Sequence, residues 1–157
     1  MGAKMTESND ILVGSLAGKT IGRGLIVLPG QGNSLAACTD AGVVVLDVST
    51  PRHVKKMLST LRDFTDDPVH ALVYSHGHHG YNSAVDLWQQ HNVDRGEAPP
   101  RLVAHENILK RYARYRETAE LQARLALMQF PVGVPVEAMM SSFAMHDPTE
   151  IFADSMD

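Results

Sequence analysis

The stretch Val69-His70-Ala71-Leu72-Val73-Tyr74-Ser75-His76-Gly77-His78-His79-Gly80-Tyr81-Asn82 decides how this chain is read. A short β-rich run, bounded upstream by Asp66-Asp67-Pro68 and ending abruptly in a polar, glycine-containing segment, predicts a strand that empties into a loop. In an extended segment residues i and i+2 project to the same side. His76 and His78 then present two imidazoles to one ion, and Gly77 between them lets the backbone turn closely. His79 points elsewhere unless the loop bends. Neutral imidazole is the commonest protein ligand for zinc and also suits iron, and ligands gather at the carboxyl ends of strands in α/β layers. The competing reading is a solvated polar loop that holds no ion.

Upstream, Ser49-Thr50-Pro51 offers a hydroxyl cap and a first-turn proline, and Val54, Met57, Leu58 and Leu61 recur at helical spacing to about Phe64. Before that helix lies Val43-Val44-Val45-Leu46, so strand, helix and strand follow one another as in a right-handed parallel crossover. Earlier still, Ile11–Val13, Leu25–Leu28 and Ser34–Cys38 are short apolar runs. Pro29-Gly30-Gln31-Gly32 and Asp40-Ala41-Gly42 punctuate them, and the pattern predicts a meander of strands. Residues 1–10 carry no periodic apolar pattern and are expected to be a flexible leader, with the structured domain over 11–157.

Downstream, Ser83–His91 predicts a second helix carrying Val85, Leu87 and Trp88. Asn92–Pro100 reads as a polar loop and Arg101–Ala104 as another brief strand. Ile108, Tyr112, Tyr115, Ala119, Leu121, Leu125 and Met128 trace one stripe of a single long helix from Glu106 to Pro131. Beyond it, Val132–Asp157 is rich in Pro, Met and Asp, has no sustained period and predicts no closing element.

Composition narrows the function. With 157 residues, a formal net charge of −4 and 14 Lys+Arg against 18 Asp+Glu, the chain offers no excess positive field for a phosphate backbone, so nucleic acid is not the expected partner. No apolar run approaches the roughly 20 residues needed to cross a bilayer, and the polar, acidic start is unlike a signal peptide. A cytoplasmic protein without a membrane partner is expected. Cys38 is the only cysteine, which excludes an internal disulfide and a thiolate metal cluster. It lies in an expected strand and reads as a small core residue.

Other motifs have bland readings. Gly14–Thr20 ends in Gly18-Lys19-Thr20 but is one residue short of a phosphate-cradling loop. The glycine-rich, β-branched sequence after it is a poor helix former, so a turn between strands is expected. His105, at a strand end, is expected to be satisfied by backbone. Arg111, Arg114 and Arg116 are expected in surface ion pairs with Glu106, Glu117 and Glu120, the alternative being a site for an anion such as sulfate. Met139, Met140 and Met145 form either an adaptable contact surface or loose packing.

An apolar strand ending in Asp47, a capped helix, a second apolar strand and then Ser75-His76-Gly77-His78 resembles the first half of the metallo-β-lactamase superfamily, whose signature after that second strand is His-x-His-x-Asp-His. Asn33, the Asp40-Ala41-Gly42 turn and Val43–Asp47 resemble its usual opening. Val103-Ala104-His105-Glu106-Asn107 with Arg111, Arg114-Tyr115-Arg116 and Thr118, then Gln129-Phe130, resembles its alkyl-sulfatase-related group. The likeness runs from about Leu25 to Asp157. Laid on without gaps, His76 and His78 take the first two histidine positions and Gly80 and Tyr81 fall where the family has Asp and His. A gapped alternative puts His79 on the last histidine.

The resemblance implies an α/β fold, the N-terminal half of an αββα sandwich with a mixed sheet flanked by helices. It also implies that His76, His78 and, as a substitute, His79 are metal ligands for one ion at most, zinc or iron. The family's later ligands come from strands this chain does not reach, so an incomplete domain is expected, with His146-Asp147-Pro148 as a loop. The implied activity is metal-assisted hydrolysis of a small ester, lactone or alkyl sulfate. No residue is assigned to catalysis or substrate binding. The alternative is a non-catalytic module that dimerises or pairs with a complementary chain through an uncovered sheet face.

Overall fold

The computed structural model describes residues 18–156, so the leader at 1–10 and the expected strand Ile11–Val13 lie outside the described residues. Seven strands form one sheet in sequence order: β1 (Thr20–Gly22), β2 (Leu25–Gly30), β3 (Gly32–Thr39), β4 (Gly42–Leu46), β5 (Val69–Tyr74), β6 (Arg101–His105) and β7 (Glu150–Phe152). The first four pair antiparallel through tight turns and the last four run parallel. The mixed α/β sheet expected from the sequence is therefore present. Thr20 opens β1 and no helix begins at Lys19, while the strand expected before Gly18-Lys19-Thr20 lies outside the described residues.

Between parallel strands the chain must cross over. It does so through α1 (Pro51–Phe64) from β4 to β5, α2 (Val85–Asp94) from β5 to β6, and α3 (Asn107–Glu117), α4 (Ala119–Gln129) and α5 (Val136–Ser141) from β6 to β7. Strands added successively in one direction by crossovers of one hand bring their helices to the same side. The core shows this. Ile26, Leu28, Ala36, Val43, Val45, Leu72, Tyr74, Leu102 and Ala104 alternate onto one face of the sheet. They pack there with Val54, Met57 and Leu61 of α1, Val85 and Trp88 of α2, and Ile108, Tyr112 and Tyr115 of α3. The opposite face carries Leu25, Val27, Leu35, Ala37, Val44, Leu46, Ala71, Val73 and Val103 by the same register, and none of these belongs to that cluster. Cys38 is half-buried against the core, a packing residue as expected.

Three expectations are corrected. The single helix over Glu106–Pro131 is two helices meeting at Thr118, whose φ of −115° and ψ of 24° leave the helical region while its Oγ1 donates to the Arg114 carbonyl at 2.7 Å. The apolar stripe continues in sequence but not in space. Tyr112 is 1% exposed, whereas Leu121, Leu125 and Met128 are 55%, 49% and 81% exposed. The segment after Val132 does close the sheet: β7 pairs parallel to β6, and Thr149 N–H donates to Leu102 O at 2.9 Å. A three-residue strand is too short to leave a period in the sequence. Finally, the helix N-terminus at Pro51 has no hydroxyl cap, because Thr50 Oγ1 is engaged with His53 Nδ1 and Ser49 Oγ accepts from Gln31 N–H at 2.6 Å.

Candidate metal-binding loop

The candidate site is built at the carboxyl ends of β4 and β5. Beyond Leu46 the chain leaves the sheet through Asp47-Val48-Ser49, in which Asp47 (φ 58°) and Ser49 (φ 62°) both adopt the left-handed conformation that L-residues avoid. Such strain persists only where surrounding contacts over-determine it. Those contacts are here. The Asp47 amide donates to Val73 O at 2.9 Å, Val48 N–H donates to Asn82 Oδ1 at 3.1 Å, and Trp88 Nε1 donates to Val48 O at 3.3 Å. Ser49 pairs with Asn82 in an isolated parallel bridge beyond the ends of β4 and β5.

Asp47 is 6% exposed and organises the loop above it. Its Oδ1 accepts from Ser75 N–H at 2.9 Å and from Asn82 Nδ2 at 3.0 Å, and its Oδ2 accepts from the Ser75 hydroxyl. Ser75 Oγ in turn lies 2.7 Å from His76 Nδ1. The loop from Ser75 to Tyr81 is bent, not extended, so the alternation argument for His76 and His78 does not describe how they meet. They meet through the bend: their ring centroids are 5.9 Å apart. With zinc–nitrogen bonds of about 2.0–2.1 Å and a tetrahedral angle, two imidazoles on one ion have centroids roughly 5.2 Å apart, so the two rings would close by several tenths of an ångström to share one. Gly77 makes the bend possible because a β-carbon there would come within 2.8 Å of Arg111 Cγ.

His79 goes elsewhere. It stacks on His78 with rings 4.7 Å apart and 18° from parallel, and its other neighbours are Tyr115 at 5.1 Å and Phe143 at 4.1 Å. Burial, reinforced by the charges of His78 and Arg111, pushes its pKa down to about 4, and burial also lowers His78. Both rings are therefore neutral at pH 7, and the Nδ1 atoms of both are buried without a hydrogen-bond partner among the described residues. Tyr81 fills the ungapped position of the family's last histidine. Its ring stands edge-on to His76 at 4.6 Å and to His78 at 5.3 Å.

These residues offer an ion two imidazoles, with an unpartnered buried nitrogen on His78. They do not offer a two-ion centre: among the described residues no group of three or more His, Cys, Asp or Glu is arranged to hold a metal. Stacking turns His79 into a wall of the site, and Gly80 has no side chain to donate.

The remaining candidates resolve structurally. His105 Nδ1 accepts from the Asn107 amide at 3.1 Å, the backbone partner expected. Arg116 pairs with Asp147 at 2.7 Å, not with the glutamates near it in sequence, and Arg111 donates to Tyr115 OH at 3.3 Å. Arg111, Arg114, Tyr115 and Gln122 line a cavity of only about 50 Å³, smaller than a substrate pocket requires. Met145 packs against the core, and His146, 3.4 Å from Asp86, sits in the loop expected for it. Asp47, Ser75, Tyr81 and Asn82 had no candidate role in the sequence reading. Only Asp47, ending an apolar strand, carried a readable signal.

No protein-family model matches the chain, and no curated protein matches it. Solved structures do. A double mutant of the sec-alkyl sulfatase PisA1 superposes with a TM-score of 0.56 at 22% identity, over 74% of this chain and 19% of that one. A β-lactamase domain protein from Burkholderia ambifaria gives 0.55 at 16% identity, over 87% and 42%. A B3 metallo-β-lactamase with an active-site glutamic acid gives 0.50 at 18% identity, over 68% and 40%. The chain thus spans between about a fifth and two fifths of the length of these structures. The shared feature is the fold: a metallo-β-lactamase-like α/β arrangement. Among the described residues no helix is long and apolar enough to cross a membrane.

Proposed function

We propose that this chain serves a hydrolase of the metallo-β-lactamase fold, acting on a small ester, lactone or alkyl sulfate. In this reading His76 and His78 contribute two imidazoles to a single zinc ion, iron being the alternative, and the other donors come from outside the described residues. The observation that carries the reading is the pairing of those rings, 5.9 Å apart, on a loop tied to Asp47 at the carboxyl end of parallel strands. An ion held there supplies Lewis-acid polarisation of a substrate oxygen. The chain's own part is to hold the rings: Asp47 and Asn82 fix the loop, Gly77 seats it on α3, and Tyr81 separates the two imidazoles from β3.

The test is zinc titration by calorimetry, with elemental analysis of the purified protein, on wild type and a His76→Ala/His78→Ala variant, followed by assay against an aryl ester, a lactone and an alkyl sulfate. One zinc per chain or fewer, lost in the double variant, supports the reading. Equal uptake by both proteins, or none by either, overturns it.

A second reading rests on a different observation. The sheet face bearing Leu25, Leu35, Val44, Leu46 and Val73 is apolar, these five residues are only part-buried while Val27, Ala71 and Val103 beside them are buried, and none belongs to the core cluster. Association across this face with a second copy or a complementary chain would bury it. Light scattering after size exclusion decides, and a monomer at all accessible concentrations counts against self-association.

A further inference from the structure

We infer that Arg111, Arg114, Tyr115 and Gln122 form a binding site for one tetrahedral oxyanion, sulfate or phosphate, at the corner where α3 meets α4. The two arginines lack the partners that their neighbourhood in sequence offers. Glu106 pairs with Lys110 at 3.6 Å, Glu120 with Arg124 at 2.6 Å, and Arg116 with Asp147 at 2.7 Å. Among the described residues neither Arg111 nor Arg114 is in an ion pair, although Glu117 lies three positions from Arg114. Like charges this close in a helix repel, and an anion between them relieves the repulsion.

The fold gathers donors around that point. Residues 111, 114 and 115 are three and four apart and share a face of α3. In a straight helix Gln122 would stand about 10 Å further along from Tyr115. The break at Thr118 turns α4, and Gln122, with its Nε2 3.4 Å from Thr118 Oγ1, lines the same cavity as the other three. The cavity measures about 50 Å³. One water needs roughly 10–15 Å³, so the space takes about four, the oxygen count of a single sulfate or phosphate.

Its chemistry is that of a donor cluster. Arg111 Nη2 donates to Tyr115 OH at 3.3 Å, and its guanidinium carbon lies 5.1 Å from the centre of that ring. The phenol accepts there and keeps its own hydrogen to donate. With it stand the remaining N–H groups of two guanidinium forks and the Gln122 carboxamide, and none of the four side chains carries negative charge. Hydrogen bonds from arginine to an oxyanion are charge-assisted and among the stronger ones. The site adjoins the histidine loop, since Arg111 packs beneath Gly77 and the Tyr115 ring is 5.1 Å from His79. The oxyanion is thus either a free ion or the charged end of an organic ester.

The inference does not rest on the hydrolase reading, because none of the four residues belongs to the histidine loop. It is read by calorimetric titration of zinc-free protein with inorganic sulfate, inorganic phosphate and methyl phosphate at fixed ionic strength. One saturable site is expected, weakened about tenfold in Arg114→Gln and in Arg111→Gln. Arg114 is exposed, so its replacement leaves the fold intact. Tyr115→Phe keeps the ring against His79, removes one donor and should also weaken binding. Added sodium chloride should weaken it further, because exposed charges are screened. Methyl phosphate binding more tightly than inorganic phosphate supports the site and identifies an ester; the reverse order supports it and identifies a free ion. No saturable binding of any of the three, or binding unchanged in both arginine variants, overturns the inference. Zinc uptake without oxyanion binding would leave the proposed function standing and remove this site, and oxyanion binding without zinc uptake would do the reverse.

Discussion

The ring of Tyr81 rests on the α-carbon of Gly32: a β-carbon at that position would lie 2.8 Å from Tyr81 Cε1 and 3.3 Å from its hydroxyl oxygen. Through this contact the hairpin between β2 and β3 supports the side chain that stands edge-on to both His76 and His78. Gly32 also has a φ of +79°. Gly32→Ala should therefore cost about 1–2 kcal/mol from backbone strain, with a further cost from displacing Tyr81. A cycle with Tyr81→Ala, measured by urea denaturation, should show the two sites coupled by roughly 0.5–3 kcal/mol. Strict additivity would mean that the contact is slack.

Asn82 is buried and uses both ends of its carboxamide, accepting from Val48 N–H and donating to Asp47. Asn82→Ala leaves the Val48 amide without its partner, at a cost of about 1–3 kcal/mol. Asn82→Asp keeps the acceptor but sets a second carboxylate against Asp47, and should be at least as destabilising at pH 7 and milder at acidic pH. Thermal unfolding of both variants at two pH values checks the order.

The break at Thr118 separates residues that look alike in sequence. Tyr112, 1% exposed in the core, should lose about 3–5 kcal/mol on replacement by alanine, by analogy with other buried aromatics. Leu125, half exposed, should change stability by no more than about 0.5 kcal/mol when replaced by glutamine. Equal losses would show that α4 packs as a continuation of α3. Denaturant melts followed by fluorescence of Trp88, the only tryptophan and fully buried, give both values.

His91 supplies a pH dependence remote from the histidine loop. Its Nε2 accepts from Arg62 Nε at 3.0 Å, and burial, followed by the charges of Arg62 and Arg95, lowers its pKa below the usual 6.5. Above that value the ring is neutral in folded and unfolded chains alike and the contribution to stability is complete. As pH falls below 6.5 the unfolded chain takes up the proton first, so stability declines until the folded ring titrates as well. Melting temperature should drop on acidification from pH 7, and His91→Gln, which keeps an acceptor for Arg62, should flatten that drop. An unchanged slope in His91→Gln would assign the dependence to other groups.

Short apolar runs and helical spacing located β2 to β6 and the helix beginning at Pro51, because burying one face leaves a local pattern, and residue types alone marked the histidine loop. The sheet's ending was not local. β7 holds three residues whose pairing depends on Leu102, 47 positions away from Thr149. The single stripe through Met128 was legible but misleading, since a sequence pattern records apolar spacing and not the bend that a threonine hydroxyl imposes at residue 118.

By itself the sequence determined the order of elements from β2 to β6, the absence of any internal disulfide, and the presence of three histidines within four residues after a strand. Tertiary structure decided how those three rings are arranged. His76 and His78 are brought together by a bend pinned to Asp47 from another strand, while His79 is drawn off by Tyr115 and Phe143 from later in the chain. The physical reason is that a loop without its own periodicity takes its shape from distant partners, the carboxylate of Asp47, 28 residues before Ser75, that satisfies its polar groups and the rings of Tyr115 and Phe143 that pack on His79.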